Sequence, residues 1–341
     1  MIKEAISTLV ANQSLSFEEA KGAMEEIMGG EATSAQVSAF LTALHMKGET
    51  PEEIAGLASV MRDKAMPVKV NGPAIDIVGT GGDGSGSFNI STAAAFVAAG
   101  AGLKVAKHGN RAATSKCGSA DVLEALGVKI DLSPEEVGEC IEKAGIGFMF
   151  AQVFHPAMKY AAPVRREIGI RTVFNILGPL TNPARVEHMV LGVPNEEIGE
   201  KIAAVLHRLG TEHSLVVYGK EGLDEISISG PTLVWEVKKG SLSPSSEISP
   251  KSFGFKQADS REIKGGTPGE NAAALRRILN GEKGTLRNAV VINAAAALVA
   301  ADIVDDLKRG AHLAEEAIDS GRAREKLDGM IALSQRLGKN D

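Results

Sequence analysis

The sequence predicts an α/β protein in two parts: a small N-terminal all-helical domain over 1–66, then a larger α/β domain over 74–341 with a mostly parallel central sheet flanked by helices. Three observations predict it. The first 65 residues carry apolar stripes at helical spacing, introduced by capping boxes. Beyond Ala74, short strand-like runs alternate with helical stretches, which implies parallel strands joined by helices. Between the two, Met66-Pro67-Val68-Lys69-Val70-Asn71-Gly72-Pro73 breaks the helical pattern and reads as the crossing between domains.

In chain order, Ile2, Ala5, Ile6 and Leu9 form the first stripe, and Ser16 with Glu19 forms a capping box. Thr33 with Gln36 forms the next, ahead of the stripe Val37, Phe40, Leu41 and Leu44. Thr50-Pro51-Glu52-Glu53 adds a proline at the first helical position and opens the stripe Ile54, Leu57, Ala58 and Met61. Four short helices bury little among themselves. This module is therefore expected to pack on the rest of the chain and on a second copy of it. Strand-like runs follow at Ala74 to Val78, Gly102 to Ala106, Gly147 to Phe150, His188 to Val193 and Ser214 to Tyr218. Segment 226–263 reads as a hairpin and surface loop to which no chemistry is assigned. Thr267-Pro268-Gly269-Glu270 reads as a capping box rather than a second phosphate loop, and alanine- and leucine-rich helices close the chain.

Composition narrows the function. With 44% hydrophobic and 23% charged residues in 341, the chain can bury a large core. A net charge of −6 argues against a general binder of nucleic acid or membrane surfaces, so any basic site is local. Cys117 and Cys140 are in no metal-type spacing, which suits a reducing cytoplasm. The N-terminus reads as an amphipathic helix rather than a signal, and no apolar run approaches a membrane span.

The chemistry concentrates between Ala74 and Ala99, where an apolar strand leads through a loop of five glycines into an alanine-rich helix. Such a loop can turn N–H groups inward as an anion nest, and the Asn89-Ile90-Ser91-Thr92 turn adds helix-terminal N–H groups and hydroxyls. Gly79-x-Gly81-x-x-Gly84 matches the dinucleotide fingerprint, but its helix begins too late and no acid follows at about twenty residues. A Walker A loop would need Lys and then Ser or Thr where Ser87-Phe88 stands. Downstream, Lys107, Arg111 and Lys116 alternate with Gly109, Asn110, Thr114, Ser115, Gly118 and Ser119, ahead of a helix over Ala120 to Leu126. Small polar residues among cations suit an irregular loop that closes over phosphates.

GTGGDGSGSFNIST at 79–92, KHGNR at 107–111, CGSADVLEALG at 117–127, NILGPLTNP at 175–183 and the pair Asp224-Glu225 resemble the anthranilate phosphoribosyltransferases, in the family's order and over essentially the whole chain. The resemblance implies transfer of the phosphoribosyl group from 5-phosphoribosyl 1-diphosphate to the amine of anthranilate, in tryptophan biosynthesis. It implies a donor site at Gly79, Gly82, Asp83, Ser87, Asn89, Ile90, Ser91 and Thr92, at Lys107, His108, Gly109, Asn110, Arg111, Ala112, Ala113, Thr114 and Ser115, and at Ser119. Position 87 is usually threonine in the family; serine here keeps the hydroxyl. It implies an anthranilate site at Gly79, Asn110 and Arg165, the last choosing between Arg165 and Arg166, which the residues alone leave open.

By the same resemblance two Mg²⁺ ions per subunit are expected, one on Ser91 and Glu225 and one on Asp224 and Glu225, with hard oxygens suited to that ion. The acidic pair is expected on an exposed turn. His108 and His155 are expected as neighbours in the anthranilate pocket. No dedicated acid or base is assigned, because an aniline nitrogen is neutral at pH 7 and already nucleophilic. A cytoplasmic homodimer paired through the helical domain is the implied assembly. Two other readings are a pyrimidine nucleoside phosphorylase, which shares the glycine loop and KHG segment, and a nucleic-acid-binding relative using the loop from Lys107 to Lys116.

Overall fold

Capping chemistry starts the N-terminal helices where the sequence places it. A computed structural model describes residues 1–112 and 115–339; Ala113 and Thr114, two expected phosphate contacts, lie outside the described residues. The helices Ile2–Val10, Phe17–Gly29, Ser34–Lys47 and Pro51–Lys64 follow one another. The last three open with reciprocal boxes, Ser16 with Glu19, Thr33 with Gln36 and Thr50 with Glu53. Each cap stabilises its helix by about 1 kcal/mol. Glu53 also reaches inward: it is fully buried, pairs with Lys47 Nζ at 2.9 Å and accepts the Leu15 N–H at 2.8 Å. Gly56 lets its helix approach the Phe17 carbonyl so closely that a Cβ there would overlap it.

These helices do not stand apart from the rest. Arg62 Nε donates to the Leu180 carbonyl at 2.6 Å, Arg208 pairs with Glu52, and the crossing strand of chain is sewn down by Met66 N–H to Phe154 O (2.9 Å) and Val68 N–H to Pro183 O (3.2 Å).

Among the described residues eight strands form one sheet: β1 (Ile75–Gly79), β2 (Val105–Gly109), β3 (Ile146–Phe150), β4 (His188–Gly192), β5 (His213–Gly219), β6 (Thr232–Lys238), β7 (Ser241–Leu242) and β8 (Ser246–Ile248). The order is β3-β2-β1-β4-β5-β6-β7, with β8 also on β6. The first five strands in chain order are mutually parallel, whereas β6 runs antiparallel to β5 and carries β7 and β8 as the expected hairpin region. Helix Ile90–Gly100 is buried along nearly its whole length, and Gly100 abuts the Ala323 backbone of the C-terminal helix Arg322–Leu337. Its alanines are explained by that crowding, since bulkier side chains would hold the helices apart. Among the described residues no helix is long and apolar enough to cross a membrane.

One strand differs from its expected place. The run Gly102 to Ala106 becomes β2 three residues later, because Gly102 adopts φ +107° and closes a turn onto the preceding helix, with Leu103 N–H bonded to Ala98 O. Lys107, His108 and Gly109 consequently sit on a strand, and the irregular loop begins only at Asn110.

Candidate active site

Because the chain lays β2 and β3 to one side of β1 and β4 and β5 to the other, the sheet has a switch point between β1 and β4, and the carboxyl ends of the strands there open a crevice suited to a ligand. The glycine loop leaves β1 at that end, β2 delivers Lys107 and His108, and Asp224 and Glu225 follow β5. Gly81, Gly82, Gly84 and Gly86 all adopt left-handed φ between +61° and +73°, a conformation that side chains other than glycine seldom take. Gly79 and Gly192 serve another purpose. A Cβ on either would collide with Asp224, so their absence of side chain lets Asp224 seat against the strand ends.

Asp224 Oδ2 accepts the Gly81 N–H at 2.7 Å, and Glu225 Oε1 accepts the Ser91 N–H at 3.0 Å, at the N-terminus of helix Ile90–Gly100. The glycine loop is braced from its other side by residues 263–265: Phe88 N–H bonds Ile263 O at 2.8 Å, Gly265 N–H bonds Gly86 O at 2.9 Å, and Ser87 pairs with Lys264 in an antiparallel bridge. Thr267 and Glu270 form the expected capping box just beyond. Asn89 begins the helix without a side-chain cap; its amide is held instead by Cys117 O at 3.1 Å and Asn271 Nδ2 at 2.8 Å.

The acidic pair is not on an exposed turn. Asp224 and Glu225 are each only 9% exposed. Gly219 N–H bonds Leu223 O at 2.9 Å, turning the chain back over the sheet, and Asn293 then clamps Ile226 through both its N–H (3.0 Å) and its carbonyl (3.1 Å). Burial is the main force on their charge. It pushes Glu225 up to about 7 against the pull of Lys107, and it raises Asp224 well above the usual carboxylate range, helped by Glu225 and Asp83.

Lys107 is the buried counterion. Its Nζ donates to the Ile77 carbonyl, burial lowers its pKa, and Asp76 and Glu225 raise it. Asp76 is fully buried, accepts the Asn182 Nδ2–H at 2.8 Å and the His108 N–H at 3.3 Å, and is pushed up to about 6 by burial against Lys107. Asp83 Oδ1 accepts the Ser85 N–H at 3.0 Å, while Asp83 Oδ2 and Thr80 Oγ1 are buried without a partner among the described residues. This is an oxygen-rich, anionic crevice whose carboxylates are short of positive charge, and such a donor set fits a hard divalent cation. Among the described residues no three His, Cys, Asp or Glu side chains converge to enclose a metal alone, so a cation here completes its shell with water and ligand oxygens.

The remaining expected residues divide. Gly109 admits Ser119, whose Oγ donates to Asn110 O at 3.2 Å. Arg111 already has partners: its guanidinium pairs with Glu124 (2.8 Å) and Asp121 (3.1 Å) over the Phe150 ring. Asp121 also accepts the Ala112 and Gly118 N–H groups at 2.9 and 2.8 Å, shaping the start of helix Ser119–Leu126. Ser115 and Lys116 are exposed.

Arg165 and Arg166, inseparable by sequence, differ in environment. Arg165 is half-buried over the Phe174 ring at 5.0 Å, burial lowers its pKa, and no carboxylate of the described residues pairs with it; Arg166 is exposed. His108 and His155 are brought together, their Nε2 atoms 3.2 Å apart, with His108 Nδ1 at 3.2 Å from Gly178 O. Burial holds them down to about 3 and about 4, so both rings are neutral at neutral pH.

Sequence reasoning missed Asp76 and Asn182. Asp76 left a signal as the lone acid within the apolar run Ala74 to Val78, and Asn182 lies within the NILGPLTNP motif. Because the folded pKa of Asp76 is raised above its ordinary 3.8, its contribution to stability is complete below that value and is lost as pH rises through about 6. Asp76→Asn removes the contribution, so urea unfolding should show it more destabilising at pH 4.5 than at pH 8, by about 2 kcal/mol. Equal destabilisation at both would contradict the burial of an ionisable Asp76.

Comparison with known proteins gives a consistent picture. The glycosyl transferase family α/β domain matches residues 71–324, and the helical bundle domain of the same family matches 3–65. The chain is 57% identical over 338 residues to the anthranilate phosphoribosyltransferase of Dehalococcoides mccartyi, covering 99% of each. It is 58% identical over 335 residues to that of Chloroflexus aggregans, covering 98% of each. Among solved structures, the anthranilate phosphoribosyltransferase of Thermus thermophilus superposes with a TM-score of 0.92 at 49% identity, over 97% of this chain and 99% of that one. The Saccharomyces cerevisiae enzyme in complex with PRPP and Mg superposes with a TM-score of 0.91 at 30% identity, over 98% of each, and the same enzyme has been solved with 4-fluoroanthranilate.

Proposed function

The chain belongs to the anthranilate phosphoribosyltransferases, and from that membership we infer how its own residues perform the family's reaction. It transfers the phosphoribosyl group from 5-phosphoribosyl 1-diphosphate to the amine of anthranilate, giving N-(5-phosphoribosyl)anthranilate and diphosphate, the second step of tryptophan biosynthesis from chorismate. The observation that carries the reading at the site is the glycine loop at the switch point, with Lys107 and the Asp224–Glu225 pair converging on it.

The donor lies on the loop from Gly79 to Thr92, with Lys107 and Ser119 completing the cradle. Left-handed glycines, the free hydroxyls of the loop and the helix N-terminus supply donors for phosphate oxygens without adding charge. Two Mg²⁺ ions would bind with the donor, with Ser91 and Glu225 holding one and Asp224 and Glu225 the other; the anionic crevice and the orphaned Asp83 oxygen support this. When bound, the metal offsets the charge that builds on the departing diphosphate.

Anthranilate lies with its carboxylate on Arg165, whose stacking on Phe174 holds the guanidinium plane ready for a bidentate partner. Its amine then faces C1 of the ribose near Gly79 and Asn110. The nitrogen lone pair forms the N–C bond as the C–O bond to diphosphate breaks, and the cationic nitrogen afterwards gives up one proton to water. His108 of the pair meets the Gly178 carbonyl of the helix Phe174–Leu180, and burial lowers the pKa of both rings so that they are weak bases; positioning rather than strong base catalysis therefore accounts for the rate. Incubation with both substrates and Mg²⁺ should yield phosphoribosyl-anthranilate and diphosphate by mass spectrometry, whereas thymidine or uridine with phosphate should yield nothing. Phosphorolysis would favour the nucleoside phosphorylase instead, and a salt-sensitive shift on DNA or RNA the nucleic-acid reading.

The assembly belongs to the same proposal: a cytoplasmic homodimer paired through the helical domain, with a complete site in each subunit. Its support is the exposed apolar side chains of that domain, Met1, Val10 and Met46 at 60%, 73% and 82% exposure. Light scattering should give twice the chain mass at micromolar concentration, and Val10→Lys or Met46→Lys should shift it toward monomers that retain turnover. A monomeric unmodified protein would contradict the pairing.

A further inference from the structure

Arg165 and Arg171 ride on one short stretch of chain. Helix Ala162–Ile168 ends at Gly169 in a left-handed cap (φ +67°), and the chain then runs to Phe174. Both ends are pinned: the Arg165 guanidinium stacks on the Phe174 ring, and Thr172, 5% exposed, donates its N–H to Asn175 Oδ1 at 2.9 Å. Between these anchors Arg171 points outward across the crevice. Its Nη2 donates to the Gly82 carbonyl at 2.6 Å, and its guanidinium fills the space that a Cβ on Gly82 would occupy. No carboxylate of the described residues pairs with Arg171, so the loop carbonyl is what holds it there.

The far side of that bond is a stretch of the phosphate loop that side chains do not pack against. Gly81, Gly84 and Gly86 have nothing within reach of a Cβ. A single charge-assisted bond to the Gly82 carbonyl fixes the peptide plane between Gly82 and Asp83, and with it the direction of the Asp83 N–H. We propose that Arg171 is a positioning residue that couples the two substrate sites: the Arg165 segment, when a carboxylate ligand engages Arg165, holds the phosphate loop through Arg171 in the shape that receives diphosphate. The inference rests on the functional reading above, with Arg165 on the acceptor side and Gly82 on the donor side. Coupling of this kind is reciprocal, so each ligand tightens the other by the same factor.

Inorganic diphosphate with Mg²⁺ serves as a donor-side probe that cannot react with anthranilate. In the unmodified protein, titrated by anthranilate fluorescence and by calorimetry, it should tighten anthranilate about fivefold or more, and anthranilate should tighten diphosphate equally. Arg171→Ala should bring both ratios within about twofold of unity while circular dichroism and thermal unfolding stay unchanged, since the side chain is exposed. A merely structural arginine would shift both affinities and leave the ratio intact. Should the alanine variant not fold, Arg171→Gln, too short to span to Gly82, is read the same way. A wild-type ratio in the variant, or no coupling in the unmodified protein, overturns the inference. Turnover of the unmodified protein with both true substrates is measured alongside: its absence removes the functional reading, and its presence with an unchanged ratio in Arg171→Ala removes this inference alone.

Discussion

Asp224→Ala combined with Glu225→Ala is expected to lower turnover by at least about a hundredfold, the scale of losing the electrostatic support of a leaving group, while the protein stays folded. The reason for the second half is the sign of the pKa shifts. Both carboxyls are raised above their ordinary values by burial, so the stability that their neutral forms contribute is present below those values and is lost as pH rises through the folded ones, about 7 for Glu225. At pH 8 the metal-free protein therefore carries the Glu225 charge at a cost, and alanine relieves it, offset by the cavity left behind. Thermal unfolding at pH 8 without metal should show a midpoint no more than a few degrees below that of the unmodified protein. Near-normal turnover of the double variant across a Mg²⁺ titration would refute the metal assignment.

Arg165→Ala should raise the KM for anthranilate at a cost of roughly 1.5 to 3 kcal/mol, the range for one charge-assisted hydrogen-bonded pair, with a smaller effect on the KM for the phosphoribosyl donor. Arg166→Ala should do much less, because Arg166 is exposed and has no aromatic face beneath it. Steady-state kinetics varying one substrate at a time separates the cases. Equal effects of the two substitutions, or a defect on the donor side, would mean that the acceptor carboxylate is held elsewhere.

These expectations show where sequence was sufficient. The loop from Gly79 to Gly86 and the helix starts at Ser16, Thr33, Thr50 and Thr267 are local phenomena, governed by residues within four positions of one another, and they stand where the residues put them. The β2 displacement is local too, but it turns on the φ of one glycine, Gly102, which apolar patterning does not report. Burial of Asp224 and Glu225 is another matter, since it depends on Asn293, 67 residues from Ile226 along the chain. Arg165 separates from Arg166 only once Phe174 folds beneath it, and Arg111 is drawn to Asp121 and Glu124, which lie along one helix edge beside it. Asp76 meets Asn182 across 106 residues, and Arg171 meets Gly82 across 89. A single sequence marks such residues only by chemistry out of place, an acid in an apolar strand or an arginine among loops.

The most direct test of the enzyme's function is the fluorescence of anthranilate itself. Mixed with the protein, Mg²⁺ and 5-phosphoribosyl 1-diphosphate, anthranilate should lose its emission with time, at a rate proportional to protein concentration, and should keep it when either the donor or the metal is left out. Emission that persists under every combination of donor, metal and pH between 6 and 9 would contradict phosphoribosyl transfer by this chain.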